Sequence, residues 1–205
     1  MIIMSETIEL KVLNKIKKSR RGSLYFTENF LSVGNGKAVS KALERLTKRG
    51  ELQRVATGIY VRPEIDPVIG SITPGIEAIA KAIAKRDKAR IVPTGAYALN
   101  RLGLSTQVPL NVVYLTDGAA RKIKIGKRVI TFKRATPKNV AVIGEISGLV
   151  IQALKTLGKD NVTLDEIIKI QGHLKKEKIT HLQHDIRLAP EWIRRIMQAV
   201  EKEIK

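Results

Sequence analysis

The chain has 205 residues, enough to bury a sizeable core and, at the usual domain size of roughly 100–150 residues, to form one large or two small domains. Its 38 Lys and Arg against 19 Asp and Glu leave a formal charge of +19, which points to a polyanionic partner, nucleic acid first among them. The absence of cysteine excludes disulfides and thiolate metal sites, no run approaches the ~20 apolar residues of a membrane span, and the opening MIIMSETIEL has no basic segment leading into a sustained apolar one, so a cytoplasmic protein without a membrane partner is expected.

Met4 offers an alternative start, and Ser5 is placed to cap a first helix. The stripe of that helix is Ile8, Val12, Leu13 and Ile16, and it ends in the basic run KKSRRG at 17–22. Residues 23–26 suit a short strand, Thr27 can cap a helix to about Val33, and Gly34-Asn35-Gly36 turns the chain into a basic helix over 37–48. In that helix Val39, Ala42, Leu43 and Leu46 recur at helical period and form one core-facing stripe, while Lys37, Ser40, Lys41, Glu44, Arg45 and Lys48 line the other face. Gly50 ends it. Residues 51–56 and 59–62 then alternate and meet across Thr57-Gly58, with Pro63 removing a donor from further pairing.

Helix, strand, helix, turn, helix and hairpin, in that order, make a winged helix-turn-helix over residues 1–67. The three prolines and two glycines of 63–75 read as a linker, with a domain boundary near residue 68. Beyond it the pattern predicts helices over 74–85 and 95–102, a buried-type strand over 110–116, and a hairpin of 121–125 and 128–134 around Gly126-Lys127. From about 144 to 205 it turns helical, with segments at 146–157, 164–176, 180–187 and 190–204. The expected fold class is α+β: the winged helix-turn-helix, then a mixed α/β domain over 68–205 with a basic β-hairpin and C-terminal helices.

Charge is concentrated toward the front. Residues 1–64 carry 13 basic and 6 acidic side chains, residues 65–137 carry 13 and 4, and residues 138–205 carry 12 and 9. A basic helix alone is often just a solvated surface, but here turn and ribbon adjoin it in the docking order of the motif. Lys37, Ser40, Lys41, Arg45 and Lys48 would then face the major groove, and Arg54, Thr57 and Arg62 would reach flanking backbone from the wing. Lys17, Lys18, Arg20 and Arg21 either contact phosphate or solvate the end of the first helix. The second basic site is Arg121, Lys122, Lys124, Lys127, Arg128, Lys133 and Arg134, where period-2 alternation puts much of the charge on one side of the hairpin. That side suits nucleic-acid backbone, an acidic partner protein, or a lysine-guarded edge that resists aggregation.

His181 and His184 could share a helix face with His173 elsewhere, but without cysteine or a third ligand at a familiar spacing no metal site is expected. Residues 65–137 offer only Asp66, Glu77, Asp87 and Asp117, too scattered to hold a catalytic divalent ion, and no phosphate-cradling loop is present, so neither an enzyme nor a cofactor is expected.

The stretch QRVATGIY at 53–60, then PTGAYALNRLGLSTQVP at 93–109 and RKIKIGKRVITFKR at 121–134, resembles the AbiEi-like antitoxins of type IV toxin–antitoxin and abortive-infection systems. The resemblance covers roughly residues 8–158; helices 160–205 fall outside it. It implies a non-enzymatic repressor that binds inverted repeats in its own promoter and counters a nucleotidyltransferase-type toxin encoded beside it. DNA binding follows also from the residues, whereas the antitoxin role comes from the resemblance alone. Two other classes fit the same charge: a structured-RNA or ribosome-associated protein, and a protein-interaction module that neutralises a toxin without specific DNA binding.

Overall fold

A computed structural model describes residues 7–204, and in it the chain divides after Ala82 into two compact units. Helix α3, Ile76–Arg86, carries the division within it. The predicted cap Ser5 lies outside the described residues. Within them Thr7 caps helix α1, Ile8–Lys17, its hydroxyl accepting from the Leu10 N–H at 3.3 Å.

In the first unit α1 leads to strand β1, Leu24–Phe26, and then to a single 3-10 turn at Thr27–Phe30 where the sequence predicts a helix reaching Val33. The Asn29 side chain explains the short turn, since its Oδ1 accepts from the Phe26 N–H at 2.7 Å and satisfies the backbone locally. A β-carbon on Gly34 would stand 2.5 Å from Ile8 Cδ1, so glycine there lets the chain pass close to α1. Helix α2, Gly36–Lys48, follows with Asn35 as its cap, and buries Val39, Ala42, Leu43 and Leu46, the stripe read from its periodicity. These pack with Val12, Ile16, Tyr25, Phe30, Leu52 and Tyr60 into one core.

Strands β2, Gln53–Ala56, and β3, Ile59–Val61, meet across Thr57-Gly58, with Gly58 at a φ of +71°. β1 joins the other side of β3, giving the antiparallel order β1-β3-β2. The segment expected as a linker contains a ribbon instead: β4, Glu64–Asp66, pairs antiparallel with β5, Gly70–Ile72. Its turn is built by Asp66, whose Oδ1 accepts from the Val68 N–H at 2.8 Å and the Ile69 N–H at 3.0 Å.

The second unit holds strand β6, Ile91–Thr94, helix α4, Ala96–Arg101, and strands β7, Asn111–Thr116, β8, Arg121–Ile125, and β9, Arg128–Arg134. They form one sheet in the order β6-β7-β9-β8, with β7 and β9 parallel and the other pairs antiparallel. Helices α5, Glu145–Leu157, α6, Leu164–Leu174, α7, Ile179–Ile186, and α8, Glu191–Ile204, complete it. α5 is buried from Ser147 to Leu154 and shares a core with Leu102, Ile170, Leu174, Leu182 and Met197.

Two carboxylates hold the start of α5. Asp185, fully buried, accepts from the N–H groups of Ile143 and Gly144 at 3.0 and 2.9 Å and from the Ser147 hydroxyl, while Glu177 accepts from Ile146 and Ser147 at 2.8 and 3.1 Å. They satisfy the orphan donors of the first turn and place negative charge at the positive end of the helix dipole. The α+β class is therefore observed. Among the described residues no helix is long and apolar enough to cross a membrane.

Candidate functional site

The outward face of α2 is where unpaired cations meet on a rigid element. Lys37, Ser40 and Lys41 are exposed and make no hydrogen bond or ion pair among the described residues. At roughly 100° per residue Lys37, Lys41 and Lys48 project from the middle of the polar arc, with Ser40 and Arg45 on its two flanks. Lys48 lies 2.8 Å from Glu44, and that hydrogen bond with its charge holds the Glu44 carboxyl below the usual carboxylate range. Arg45 turns toward α1, its Nη1 at 3.4 Å from Glu9 Oε2, and Arg49 pairs with the same carboxylate. Between these helices lies a groove of about 300 Å³ lined by Glu9, Ala38, Lys41 and Arg45 among others.

The β2–β3 turn follows α2 directly, and exposes Arg54 and Thr57. A register shift between Arg54 and Ala56 bends β2 just before the turn. Arg62, grouped with them from sequence, is half-buried and faces α1: its guanidinium donates to the carbonyl of Lys17 at 3.1 Å and to that of Ser19. Arg62 thus satisfies carbonyls at the end of α1. Of the basic run before β1, Lys17 pairs with Glu51 at 3.9 Å and Arg21 donates to the Pro63 carbonyl, leaving Lys18 and Arg20 exposed and without an ion pair among the described residues.

The second predicted patch is divided by its own register. Lys122 stands opposite Thr131 and Lys124 opposite Val129, so Lys122, Lys124 and Lys133 share one sheet face, all exposed, with Lys127 at the turn beside them. Arg121, Arg128 and Arg134 point to the opposite face with Ile130 and Phe132. Arg121 is occupied there: it pairs with Asp87 and lies over the Phe132 ring, 5.4 Å from its centroid. Burial, with a contribution from Arg86, pulls its pKa below the ordinary arginine value. Sequence reading did not find Glu9 or Asp87 as partners, because neither is near its arginine along the chain.

The histidines are separated by their partners. His173 Nε2 lies 3.0 Å from the Leu102 carbonyl, His181 lies 3.6 Å from Glu177, and His184 lies 2.8 Å from Asp185. His173, Glu177 and His181 line a cleft of about 540 Å³ with Arg101 and Lys176, but Glu177 is already engaged by the α5 backbone.

Among solved structures, the chain is similar to the RV2827C protein from Mycobacterium tuberculosis, at 13% identity and a TM-score of 0.46, with 97% of this chain and 82% of that one covered. No curated protein matches it. The profile of a family of unknown function, DUF6088, matches residues 11–182, and the chain belongs to that family.

Proposed function

We propose that the first unit is a winged helix-turn-helix and that the protein is a DNA-binding transcriptional repressor, the antitoxin of a type IV toxin–antitoxin system that represses its own promoter. The observation that carries DNA binding is the exposed cationic face of α2, on which Lys37 and Lys41 have no ion pair among the described residues, continued by the β2–β3 turn with Arg54 and Thr57 exposed. α2 is the recognition helix, Lys37, Ser40, Lys41 and Lys48 its groove-facing side chains, and the β2–β3 turn the wing on flanking backbone. Arg45 adds a contact when it leaves Glu9. Arg62 serves the domain by fixing α1 to the base of the wing.

The antitoxin role, and the adjacent nucleotidyltransferase-type toxin as partner, rest on the AbiEi-like stretches at 53–60, 93–109 and 121–134. The protein would act as a binder rather than an enzyme. The test is binding of the full chain to about 200 base pairs of its own upstream DNA at physiological salt, beside a random duplex and a structured RNA. A repressor prefers the upstream DNA by at least ~10³-fold. Equal weak binding to all three removes the repressor reading, and preference for the RNA replaces it with RNA recognition.

A further inference from the structure

The cations of α2 fall into two groups. Lys37 and Lys41, at its start, have no ion pair among the described residues, whereas Lys48 is held by Glu44, and Arg45 and Arg49 are held together by Glu9. Glu9 lies in the first turn of α1, where Thr7 caps the helix and the helix dipole favours a carboxylate. Its Oε2 is 3.4 Å from Arg45 Nη1 and its Oε1 pairs with Arg49 Nη2, so one carboxylate from the neighbouring helix spans two guanidiniums a turn apart. Lys41, Arg45 and Arg49 recur at every fourth residue and form one row that turns toward α1. That row starts unpaired and ends neutralised.

Exposure decides which partner can move. The Glu9 side chain is 20% exposed, while those of Arg45 and Arg49 are 66 and 56% exposed on long flexible stems, so the guanidiniums can turn to another anion and the carboxylate stays behind. The groove of about 300 Å³ has Glu9 on its α1 side and Lys41 and Arg45 on its α2 side, which leaves an anion room to approach Arg45 from Lys41. A phosphate taking Arg45 and Arg49 from Glu9 exchanges one charge-assisted hydrogen bond for another. It also leaves a shielded carboxylate without its cations and close to the incoming negative charge, and that cost opposes the exchange. We propose that Glu9 is a built-in competitor of DNA phosphate, which withholds Arg45 and Arg49 from unspecific contact with the duplex backbone. The inference rests on α2 being the DNA-facing helix, and it adds Arg49, the C-cap residue, to that face.

The test is a salt titration of the full chain on a random duplex. Glu9→Gln keeps the shape of the side chain and removes its charge. It is expected to bind roughly tenfold tighter and to steepen the slope of log affinity against log salt by nearly 2, because two more phosphates are neutralised at about 0.9 each. Glu9→Ala, which can hold neither arginine, should act in the same direction. Glu64→Gln removes the same charge from the first unit without releasing a cation of α2, and should leave the slope unchanged. Arg49→Gln should not change the wild-type slope but should make the Glu9→Gln slope shallower by about 0.9, which separates release of an arginine from a general loss of negative charge. If the wild type binds duplex and Glu9→Gln binds with the same slope, or more weakly, this proposal is overturned and the DNA-binding reading survives. A wild type that binds no duplex removes both.

Discussion

Arg62 and Lys41 are both cations beside the proposed DNA face, and the structure gives them opposite tasks. Arg62 donates to the carbonyls of Lys17, at the end of α1, and of Ser19 just beyond it, so Arg62→Ala removes two charge-assisted hydrogen bonds and leaves the part-buried Ser19 carbonyl without that donor. Urea denaturation is expected to show a loss of about 1–3 kcal/mol. Lys41 touches no partner, so Lys41→Glu should leave the urea midpoint in place and weaken binding to the upstream DNA by roughly 10–100-fold in a titration. If Arg62→Ala is as stable as the wild type, the staple between β3 and α1 is not a stabilising contact.

A third residue gives a pH signature. Two backbone N–H groups lower the pKa of Asp66, so the turn contact is complete above the ordinary aspartate range and is lost only as pH falls through the lower folded value. The amide NMR shifts of Val68 and Ile69 should titrate together with a midpoint below that of an unstructured aspartate, and Asp66→Ala should abolish that titration. A midpoint at the ordinary value would mean that the turn is not held by this carboxylate.

At the scale of elements, the start of α5 depends on two carboxylates from far along the chain. Asp185→Ala leaves two backbone donors and the Ser147 hydroxyl without their acceptor in a buried position, which should cost about 3–5 kcal/mol in chemical denaturation. A loss below ~1 kcal/mol would show that the buried carboxylate is not what fixes the helix start. Neither carboxylate could be assigned from sequence, because Asp185 lies 41 residues from the Gly144 N–H it accepts from and Glu177 lies 31 residues from that of Ile146. The same holds for Arg62 and its acceptors at Lys17 and Ser19.

What periodicity can show, it did: the α2 stripe, the turn at Thr57-Gly58 and the alternation that separates Arg121 from Lys122 are all local patterns. Pairing partners are not local, and the parallel match of β7 with β9 across β8 leaves no mark in either strand. β6 escaped notice because it is four residues long with Pro93 inside it, which an edge strand tolerates. The ribbon at 64–72 was hidden by Pro67 and Gly70, which here flank a turn between two short strands rather than a loose connection.

For the whole molecule, the open question of the lysine face on β8 and β9 becomes a measurement through counterion release, since each phosphate neutralised on duplex DNA contributes about −0.9 to the slope of log affinity against log salt. If DNA is held by roughly four to six cations of the first unit, Lys37, Lys41, Lys48 and Arg54 with Lys18 and Arg20, the slope should be about −4 to −5. Should Lys122, Lys124 and Lys133 also rest on DNA, the wild-type slope steepens by nearly 3, and replacing all three with Gln returns it to the shallower value. These side chains are exposed, so the triple variant should fold as the wild type does. An unchanged slope removes this face from DNA. On the proposed antitoxin reading its charge then meets an acidic protein surface, and the triple variant should keep its affinity for the upstream DNA while losing affinity for the proposed toxin; unchanged affinity for both leaves this face as a lysine-guarded edge.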